Sequence, residues 1–262
     1  MRDARCAGLR HFVPSCLNAS VPSSCYHPRV LILFDIDGTL LNTERAGTHS
    51  IYDATREIFG ETMVFDGVEI AGRIDPQIWS DVCRVNGIAD PERHHDRFRA
   101  VYRRHLARRI SETHRVTALP GVGELLDAVA ATEGLTPGLL TGNYPETGRL
   151  KIETAGLDPD LFMVAAWGSD APTRRDLPAV AMARYTEMTG DSINPDEVVI
   201  VGDTPHDVDC ARAHGCRALA VATGSFSRDD LEACAPDLLL EDLSQTAAVV
   251  SWMLDSKTPA AH

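Results

Sequence analysis

The most constraining feature of this chain is the segment LILFDIDGTLLN at residues 31–42. Its first four residues form an unbroken apolar run, which is typical of a strand buried on both faces in a parallel sheet. Two carboxylates, Asp35 and Asp37, follow this run directly. Placing two acids beside a buried strand costs on the order of several kcal/mol unless each has a partner. The segment therefore predicts a buried strand that ends in a charged site.

Apolar runs and helical patterns alternate along the rest of the chain. Strands are predicted at residues 30–34, 136–140, 162–167, 197–201, 216–221 and 237–240, and helices at residues 122–132, 146–155, 177–189 and 207–214. This alternation predicts an α/β fold, with a Rossmann-like open parallel sheet that carries helices on both faces.

One interval interrupts the alternation. Residues 43–118 show helical periodicity and no convincing strand, and this span is too long for a single crossover helix. We interpret residues 43–118 as an inserted helical cap domain. The α/β core then comprises residues 29–42 and 119–245, followed by a C-terminal helix and tail at 246–262. Residues 1–28 are predicted to be a disordered extension.

Charge and composition limit the partners of the chain. Its 25 basic and 38 acidic residues give a net charge of −13, which argues against nucleic acid or an anionic membrane as a partner. No apolar run reaches the length of a membrane span. The seven cysteines include no CxxC pair, which favours reduced thiols in a cytoplasmic protein. Organelle targeting by residues 1–28, which are rich in arginine and serine, is the other possibility.

Polar residues follow three of the predicted strands, where open α/β sheets bind their ligands. They are Asp35, Asp37 and Thr39 after the first strand, Thr141, Gly142 and Asn143 after the second, and Gly202, Asp203, Thr204 and Asp207 after the fourth. If these strands are neighbours, the carboxylates converge and need a cation. Oxygen ligands suit Mg²⁺. A carboxylate beside Mg²⁺ can attack phosphorus, and a second acid can protonate the leaving oxygen.

Three motifs resemble those of the haloacid dehalogenase-like hydrolase superfamily. DIDGTLL is similar to its first motif, LLTGN to its second and VGDTPHDVDCARAHG to its fourth, in the same order and over about residues 30–243. The resemblance extends to the helical-cap subclass and to phosphoglycolate phosphatase-like members. It implies a hydrolase that uses Mg²⁺ and acts on a small phosphorylated metabolite. The sequence leaves open whether the protein is a monomer or a homodimer.

The resemblance also implies roles for individual residues. Asp35 would be the nucleophile and a Mg²⁺ ligand, and Asp37 the general acid/base with its backbone carbonyl on the metal. Thr141 and the amide of Gly142 would hold the transferring phosphoryl group, with Asn143 beside the substrate.

The remaining metal ligands would come from the fourth motif. Asp203 would complete the metal site. Asp207 would support the metal, or would instead be a helix N-cap.

The third motif of the family, a lysine before the fourth strand, is missing. The corresponding segment, GSDAPTRRDLPAVAMARY, offers Arg174 or Arg175, and the guanidinium fork of either would suit phosphate. We favour Arg174 because the segment resembles relatives with a TGN second motif that carry an arginine here. Lys151, on the helix after the second motif, is the alternative.

The segment IAGRIDPQIW at residues 70–79 resembles the substrate-specificity loop of phosphoglycolate phosphatase-like and phosphoglucomutase-like relatives. Arg73 would then reach a substrate carboxylate or hydroxyl. The same segment also fits a helix start, with Asp75 as N-cap and Pro76 in the first turn.

Three functions remain open. The first is a Mg²⁺-dependent phosphohydrolase that acts on a small phosphate monoester through an aspartyl-phosphate. The second is a sugar-phosphate mutase on the same core, and the third is a catalytically inactive binding protein. Asp37 and Asp203 argue against a dehalogenase. Phosphonate cleavage would need a lysine in the cap, and residues 43–118 contain none.

Overall fold

A computed structural model describes residues 29–113 and 116–255 of the chain. The predicted extension at 1–28 and the end of the predicted tail lie outside these residues. The strands are β1 Val30–Phe34, β2 Leu41–Asn42, β3 Thr117–Ala118, β4 Leu135–Leu140, β5 Val164–Ala166, β6 Val198–Gly202, β7 Arg217–Val221 and β8 Leu238–Leu240. The helices are α1 Ala46–Phe59, α2 Asp75–Val85, α3 Pro91–Thr113, α4 Val122–Ala131, α5 Pro145–Thr154, α6 Leu177–Thr189, α7 Pro205–His214, α8 Arg228–Ala233 and α9 Thr246–Leu254.

Six of the strands form one sheet in the order β5-β4-β1-β6-β7-β8, and every neighbouring pair is parallel. The apolar run of the opening segment is β1, at the centre of the sheet between β4 and β6. The chain adds β4 and β5 on one side of β1 and then returns to add β6, β7 and β8 on the other. A crevice for ligands forms where the strand order reverses in this way.

Alternate residues of β1 enter two separate apolar cores. Ile32 and Phe34 pack in the core that includes residues of α4 and α9. Leu31 and Leu33 pack in the core that includes residues of α6 and α7. Because successive side chains of a strand point to opposite faces, a strand without polar residues must be covered on both sides. The predicted α/β fold with helices on both faces is therefore confirmed.

Helices α1, α2 and α3 all lie in the chain between β2 and β3. Their large side chains, including Trp79, Phe98 and Tyr102, belong to the same apolar core as one face of the sheet. Within the two ranges that the structure describes, no helix is both long enough and apolar enough to cross a membrane.

The prediction that residues 43–118 contain no strand is wrong at one end, where β3 lies at Thr117–Ala118. Leu41 pairs antiparallel with Ala118, and Asn42 with Thr117, so β2 and β3 form a two-stranded ribbon across the base of the helical insertion. Two residues are too few to show the alternation by which a strand is recognised in sequence. The ribbon brings the two ends of the insertion together beside the end of β1.

Candidate active site

The candidate site lies at the carboxyl ends of the three central strands. Asp35 follows β1, Thr141 follows β4 and Asp203 follows β6, and all three residues are buried. A cavity of about 720 Å³ opens there, lined by residues of the strand ends and of the helical insertion. The structure thus brings together residues that are more than 160 positions apart, as the parallel order of the strands requires.

Three carboxylates form a buried acid cluster at this point. One oxygen of each of Asp35, Asp203 and Asp207 lies within 4.8 Å of the other two. Burial raises the pKa of Asp35 to about 6, with a further increase from the charge of Asp207. Burial, together with the charges of Asp207 and Asp35, also raises the pKa of Asp203 well above its usual value. The cluster therefore favours a positive partner.

Arg174 supplies part of that positive charge. Its guanidinium lies 2.9 Å from Asp35 and also forms an ion pair with Asp207. It belongs to a short 3₁₀-helix, Arg174–Asp176, and is buried. Arg175, the other arginine considered, is largely exposed and pairs with Asp209 at 3.3 Å. Of the two arginines, the structure places Arg174 at the acid cluster.

Asp207 is not the N-cap of its helix, so that interpretation is wrong. The N-cap of α7 is Thr204, whose backbone N–H and hydroxyl donate to Oδ2 of Asp207 at 3.0 and 2.7 Å. Asp207 is the third residue of the helix and completes a capping box. Its other oxygen, Oδ1, faces Arg174. The capping box thus fixes the orientation of the Asp207 carboxylate at the acid cluster.

Asp37 has a different set of partners from Asp35. Lys151 Nζ lies 2.6 Å from Asp37 Oδ2, and Asn143 Nδ2 donates to the same oxygen at 2.9 Å. Thr43 donates to Oδ1 at 3.3 Å. Burial alone would raise the pKa of Asp37, but the charge and hydrogen bond of Lys151 outweigh it and lower the pKa. Asp37 is therefore held as a carboxylate.

Lys151 is a buried side chain of α5 that contacts Asp37 rather than the acid cluster. Its Nζ also donates to Asn143 Oδ1 at 2.6 Å. Asn143 in turn donates to Thr141 Oγ1 at 2.8 Å. Lys151 contacts Asp37, whereas Arg174 contacts Asp35 and Asp207, so the two candidates for the third motif are not equivalent.

Gly142 is a point of close contact between the helical insertion and the core. A Cβ at this position would lie 2.1 Å from the carbonyl oxygen of Arg73, so only glycine fits there. The Gly142 carbonyl accepts the backbone N–H of Asp75 at 2.7 Å. The turn that carries Thr141 is therefore covered by the start of α2.

Arg73 lines the cavity, but other side chains hold its guanidinium. It donates to Glu69 at 2.9 Å, to Asp81 at 3.3 Å and to Gln77 at 3.3 Å. These partners all belong to the helical insertion. A contact between Arg73 and substrate stays a prediction.

Sequence reasoning missed the role of Asp75. The N-cap of α2 is Ile74, so the interpretation of Asp75 as N-cap is wrong; Asp75 is the first helical residue and Pro76 the second. Its buried carboxylate accepts the backbone N–H of Tyr144 at 2.9 Å. Burial raises the pKa of Asp75 to about 7, although the charge of Lys151 opposes the increase. A single acid before a proline carries no signal of this long-range contact.

Tyr144 was also missed, although it follows the TGN segment directly. Its buried hydroxyl lies 2.7 Å from His95 Nε2, and the Arg99 guanidinium lies 4.6 Å from its ring centroid. Arg99 also forms two hydrogen bonds of 2.9 Å with Glu146 of α5. Helices α2 and α3 are thus both fixed to the residue that follows Asn143.

The acid cluster fits a hard divalent cation. Its donors are all carboxylate oxygens, and Arg174 offsets only one of the three negative charges. Thr39 donates to Asp203 Oδ1 at 3.2 Å. A Cβ on Gly38 would lie 2.4 Å from Asp203 Oδ2, so the backbone closely surrounds this carboxylate. Asp35, Asp203 and Asp207 are therefore the residues suited to hold Mg²⁺.

Comparisons with known proteins identify the family of this chain. The sequence profile of the family described as haloacid dehalogenase-like hydrolase matches residues 32–221. Pyrophosphatase PpaX of Listeria monocytogenes serotype 4a (strain HCC23) is 24% identical over 219 residues, covering 84% of this chain and 95% of that protein. Phosphoglycolate phosphatase of Synechococcus elongatus (strain ATCC 33912 / PCC 7942 / FACHB-805) is 32% identical over 135 residues, covering 52% of this chain and 60% of that protein.

The crystal structure of a hydrolase from Pseudomonas syringae superposes with a TM-score of 0.65 at 19% identity, covering 86% of this chain and 98% of that one. Such a likeness shows a shared fold. The family profile spans well over half of the chain and includes the segments that carry Asp35, Asp37, Thr141 and Asp203. It confirms the predicted family, whose members are enzymes. The chain belongs to the haloacid dehalogenase-like hydrolases.

Proposed function

We propose that the protein is a Mg²⁺-dependent phosphohydrolase that cleaves a small phosphate monoester through an aspartyl-phosphate on Asp35. The observation that carries this proposal is the position of Asp35, which lines the cavity and whose buried carboxylate lies among Asp203, Asp207 and Arg174. A carboxylate that lies beside other carboxylates becomes an effective nucleophile when cations balance the negative charge of the cluster. Two relatives named as a pyrophosphatase and a phosphoglycolate phosphatase support phosphate chemistry.

In the first half of the reaction, an oxygen of Asp35 attacks phosphorus. The bond between Asp35 and phosphorus forms, the ester P–O bond breaks, and the leaving oxygen takes a proton from Asp37. Asp37 is a carboxylate in the free protein because of Lys151. The negative phosphate of a bound substrate raises the pKa of a neighbouring carboxyl, which favours the protonated form needed for this step.

In the second half, water attacks the phosphorus of the aspartyl-phosphate. Asp37, again a carboxylate, takes a proton from this water as the bond between phosphorus and Asp35 breaks. Inorganic phosphate leaves, and Asp35 returns to its starting state. The contact between Lys151 and Asp37 stabilises the carboxylate form that this step requires.

The remaining residues bind the phosphoryl group or balance charge in this proposal. The hydroxyl of Thr141, the amide of Gly142 and the side chain of Asn143 would hold the phosphoryl oxygens. Arg174 would offset the charge on the nucleophile. Mg²⁺, held by the acid cluster with the backbone carbonyl of Asp37, would supply further positive charge against the phosphoryl group.

The cellular location is part of the proposal. Four cysteines within the described residues, Cys83, Cys210, Cys216 and Cys234, are not in disulfides. Reduced thiols are usual in the cytoplasm, and we propose a cytoplasmic location.

Turnover of p-nitrophenyl phosphate by the full-length protein with Mg²⁺ tests the function. We expect activity that Asp35→Asn abolishes, while Asp209→Asn, an exposed acid on α7, preserves it. The absence of turnover in the wild-type protein would favour an inactive binding protein.

Isotope-labelled substrate phosphate separates hydrolysis from a mutase reaction. The phosphohydrolase releases the label as free phosphate, whereas a mutase retains it in an organic product. Retention of the label would overturn the proposed hydrolysis.

A further inference from the structure

The part of the cavity formed by the helical insertion, which we call the distal wall, differs from the strand ends in its chemistry. Much of it is apolar, contributed by Ile51, Tyr52, Val68, Ile70 and Ile78. Ile51 and Ile78 are buried, and the other three are partly buried. Apolar side chains around a few oriented polar groups are typical of sites for organic ligands.

The size of the cavity also indicates a site for an organic ligand. A cavity of about 720 Å³ falls within the range of about 300–1,000 Å³ that is typical of sites for organic ligands. Pyrophosphate or phosphoglycolate would fill only a small part of this space. A bulkier organic group is needed to extend from the strand ends to the distal wall.

The charges of the distal wall cancel. Arg73 donates to two carboxylates, Glu69 at 2.9 Å and Asp81 at 3.3 Å, and only 26% of its side chain is exposed. Arg45 is a second cation of this wall and is exposed. The two arginines are balanced by Glu69, which lines the cavity, and by Asp81, which pairs with Arg73 without lining the cavity, and the buried Asp75 is a further acid of the lining. A second anionic group on a substrate would meet no net positive charge among the described residues.

We propose that the substrate is a phosphate monoester of an uncharged, partly apolar alcohol, rather than a molecule with a second anionic group. This inference rests on the proposed phosphohydrolase function and specifies its substrate class. The phosphoryl group lies at Asp35, and the uncharged organic group lies against the distal wall. A carboxylate or second phosphate there would be repelled by Glu69 and would find the charge of Arg73 already balanced by Glu69 and Asp81.

The contacts of Arg73 leave it suited to an uncharged group. An arginine has five N–H donors, and the structure uses three nitrogens of Arg73 for Glu69, Gln77 and Asp81. Its remaining N–H groups suit the oxygen of a hydroxyl or ether. Of the two partners expected from the sequence, a hydroxyl fits this arrangement better than a carboxylate.

A matched pair of substrates isolates the charge. The full-length protein with Mg²⁺ is assayed for kcat/KM on phenyl phosphate and on para-carboxyphenyl phosphate, with pyrophosphate and phosphoglycolate as further substrates. We expect kcat/KM to be about tenfold or more higher for phenyl phosphate than for each of the anionic substrates.

The possible outcomes separate the inference from the function on which it rests. If para-carboxyphenyl phosphate, pyrophosphate or phosphoglycolate is cleaved as well as phenyl phosphate, the inference is overturned and the phosphohydrolase function stands. If none of the four compounds is cleaved, the proposed function fails, and the inference fails with it.

Substitution at the distal wall tests the physical cause. Glu69→Gln removes one of the carboxylates that hold Arg73, and we expect the ratio of kcat/KM for para-carboxyphenyl to phenyl phosphate to rise about threefold or more. Asp66→Asn removes an exposed acid three positions away that does not line the cavity, and should leave this ratio unchanged. Equal ratios in both variants would overturn the assignment of the preference to the distal wall.

Discussion

Lys151 Nζ lies 2.6 Å from Asp37 Oδ2, and this ion pair joins α5 to the segment that follows β1. The lysine is almost fully buried, with 4% of its side chain exposed. Removing one partner of a buried ion pair leaves the other charge without compensation. The protonation of Asp37 therefore depends on Lys151.

The first prediction concerns Lys151→Met. Without the ammonium group, burial dominates and the pKa of Asp37 rises. The step that needs Asp37 as a carboxylate then requires a higher pH. The acidic limb of the profile of kcat against pH therefore shifts to higher pH. We expect kcat at neutral pH to fall about 100-fold or more, which is the usual contribution of a general acid or base.

Arg149→Met is the matched control, because Arg149 lies on the same helix and half of its side chain is exposed. Its pH profile should match that of the wild type. A Lys151→Met protein whose acidic limb does not move would show that Lys151 does not set the pKa of Asp37.

The second prediction concerns Arg174→Ala in the absence of metal. Asp35, Asp203 and Asp207 would then form a buried cluster without their arginine, and loss of one partner of such a set costs about 3–5 kcal/mol. Urea unfolding in EDTA should show this loss in the free energy of unfolding. Mg²⁺ should restore more stability to the variant than to the wild type, because binding to the folded state stabilises it.

Arg175→Ala removes the exposed neighbour and should change the free energy of unfolding by no more than about 0.5 kcal/mol. Equal losses in the two variants would mean that the contact of Arg174 with the acid cluster does not support the fold.

The sequence predicted the elements whose signals are local. The boundaries of the six strands of the main sheet agree with the structure within about two residues, because a strand buried on both faces is a continuous apolar run. The polar residues at the strand ends could be predicted as well, because they directly follow the end of each apolar run. Parallel order then brings Asp35, Thr141 and Asp203 to one edge of the sheet.

The contacts that the sequence did not predict depend on how the helical insertion packs on the core and on the direction in which side chains leave a helix. A 3₁₀-helix has three residues per turn, so Arg174 and Arg175 point in different directions, and only the packing of that turn decides which one faces the acid cluster. The contact of Asp75 with Tyr144 joins residues 69 positions apart, across the insertion and the core. No periodicity in the sequence encodes such a contact.

The third prediction concerns the pH dependence of stability. The pKa of Asp75 is raised by burial from 3.8 to about 7, so between these values the folded state holds a proton that the unfolded state releases. The contribution of this carboxyl to stability is therefore complete below about pH 4 and is lost as pH rises through about 7. Asp75→Asn keeps an acceptor for the Tyr144 N–H and does not titrate.

The measurement is the free energy of unfolding of both proteins between pH 4 and pH 8. The wild type should lose stability relative to Asp75→Asn across this range, by up to a few kcal/mol. Asp66 is an exposed acid of the same insertion, and the free energy of unfolding of Asp66→Asn should change with pH as that of the wild type does. Parallel curves for the wild type and Asp75→Asn would contradict the shifted pKa.

The last prediction concerns the contact between the insertion and the turn that carries Thr141. In Gly142→Ala, the new Cβ would lie 2.1 Å from the carbonyl oxygen of Arg73, which is backbone and has no flexible end to move aside. The start of α2 must shift, which breaks the hydrogen bond from the Asp75 N–H to the Gly142 carbonyl. Because the same turn would hold the phosphoryl group, we expect both a loss of stability of about 1–3 kcal/mol and a fall in kcat.

Gly123→Ala is the matched control, because Gly123 lies in α4 and has open space where a Cβ would be placed. Alanine is the better helix former by about 1 kcal/mol, so this variant should be at least as stable as the wild type, with unchanged kcat. Thermal unfolding measures the stability of both variants, and steady-state kinetics measures their kcat. A Gly142→Ala protein with the stability and kcat of the wild type would contradict the prediction. It would show that the new Cβ does not meet the Arg73 carbonyl oxygen, and therefore that the insertion does not pack on this turn.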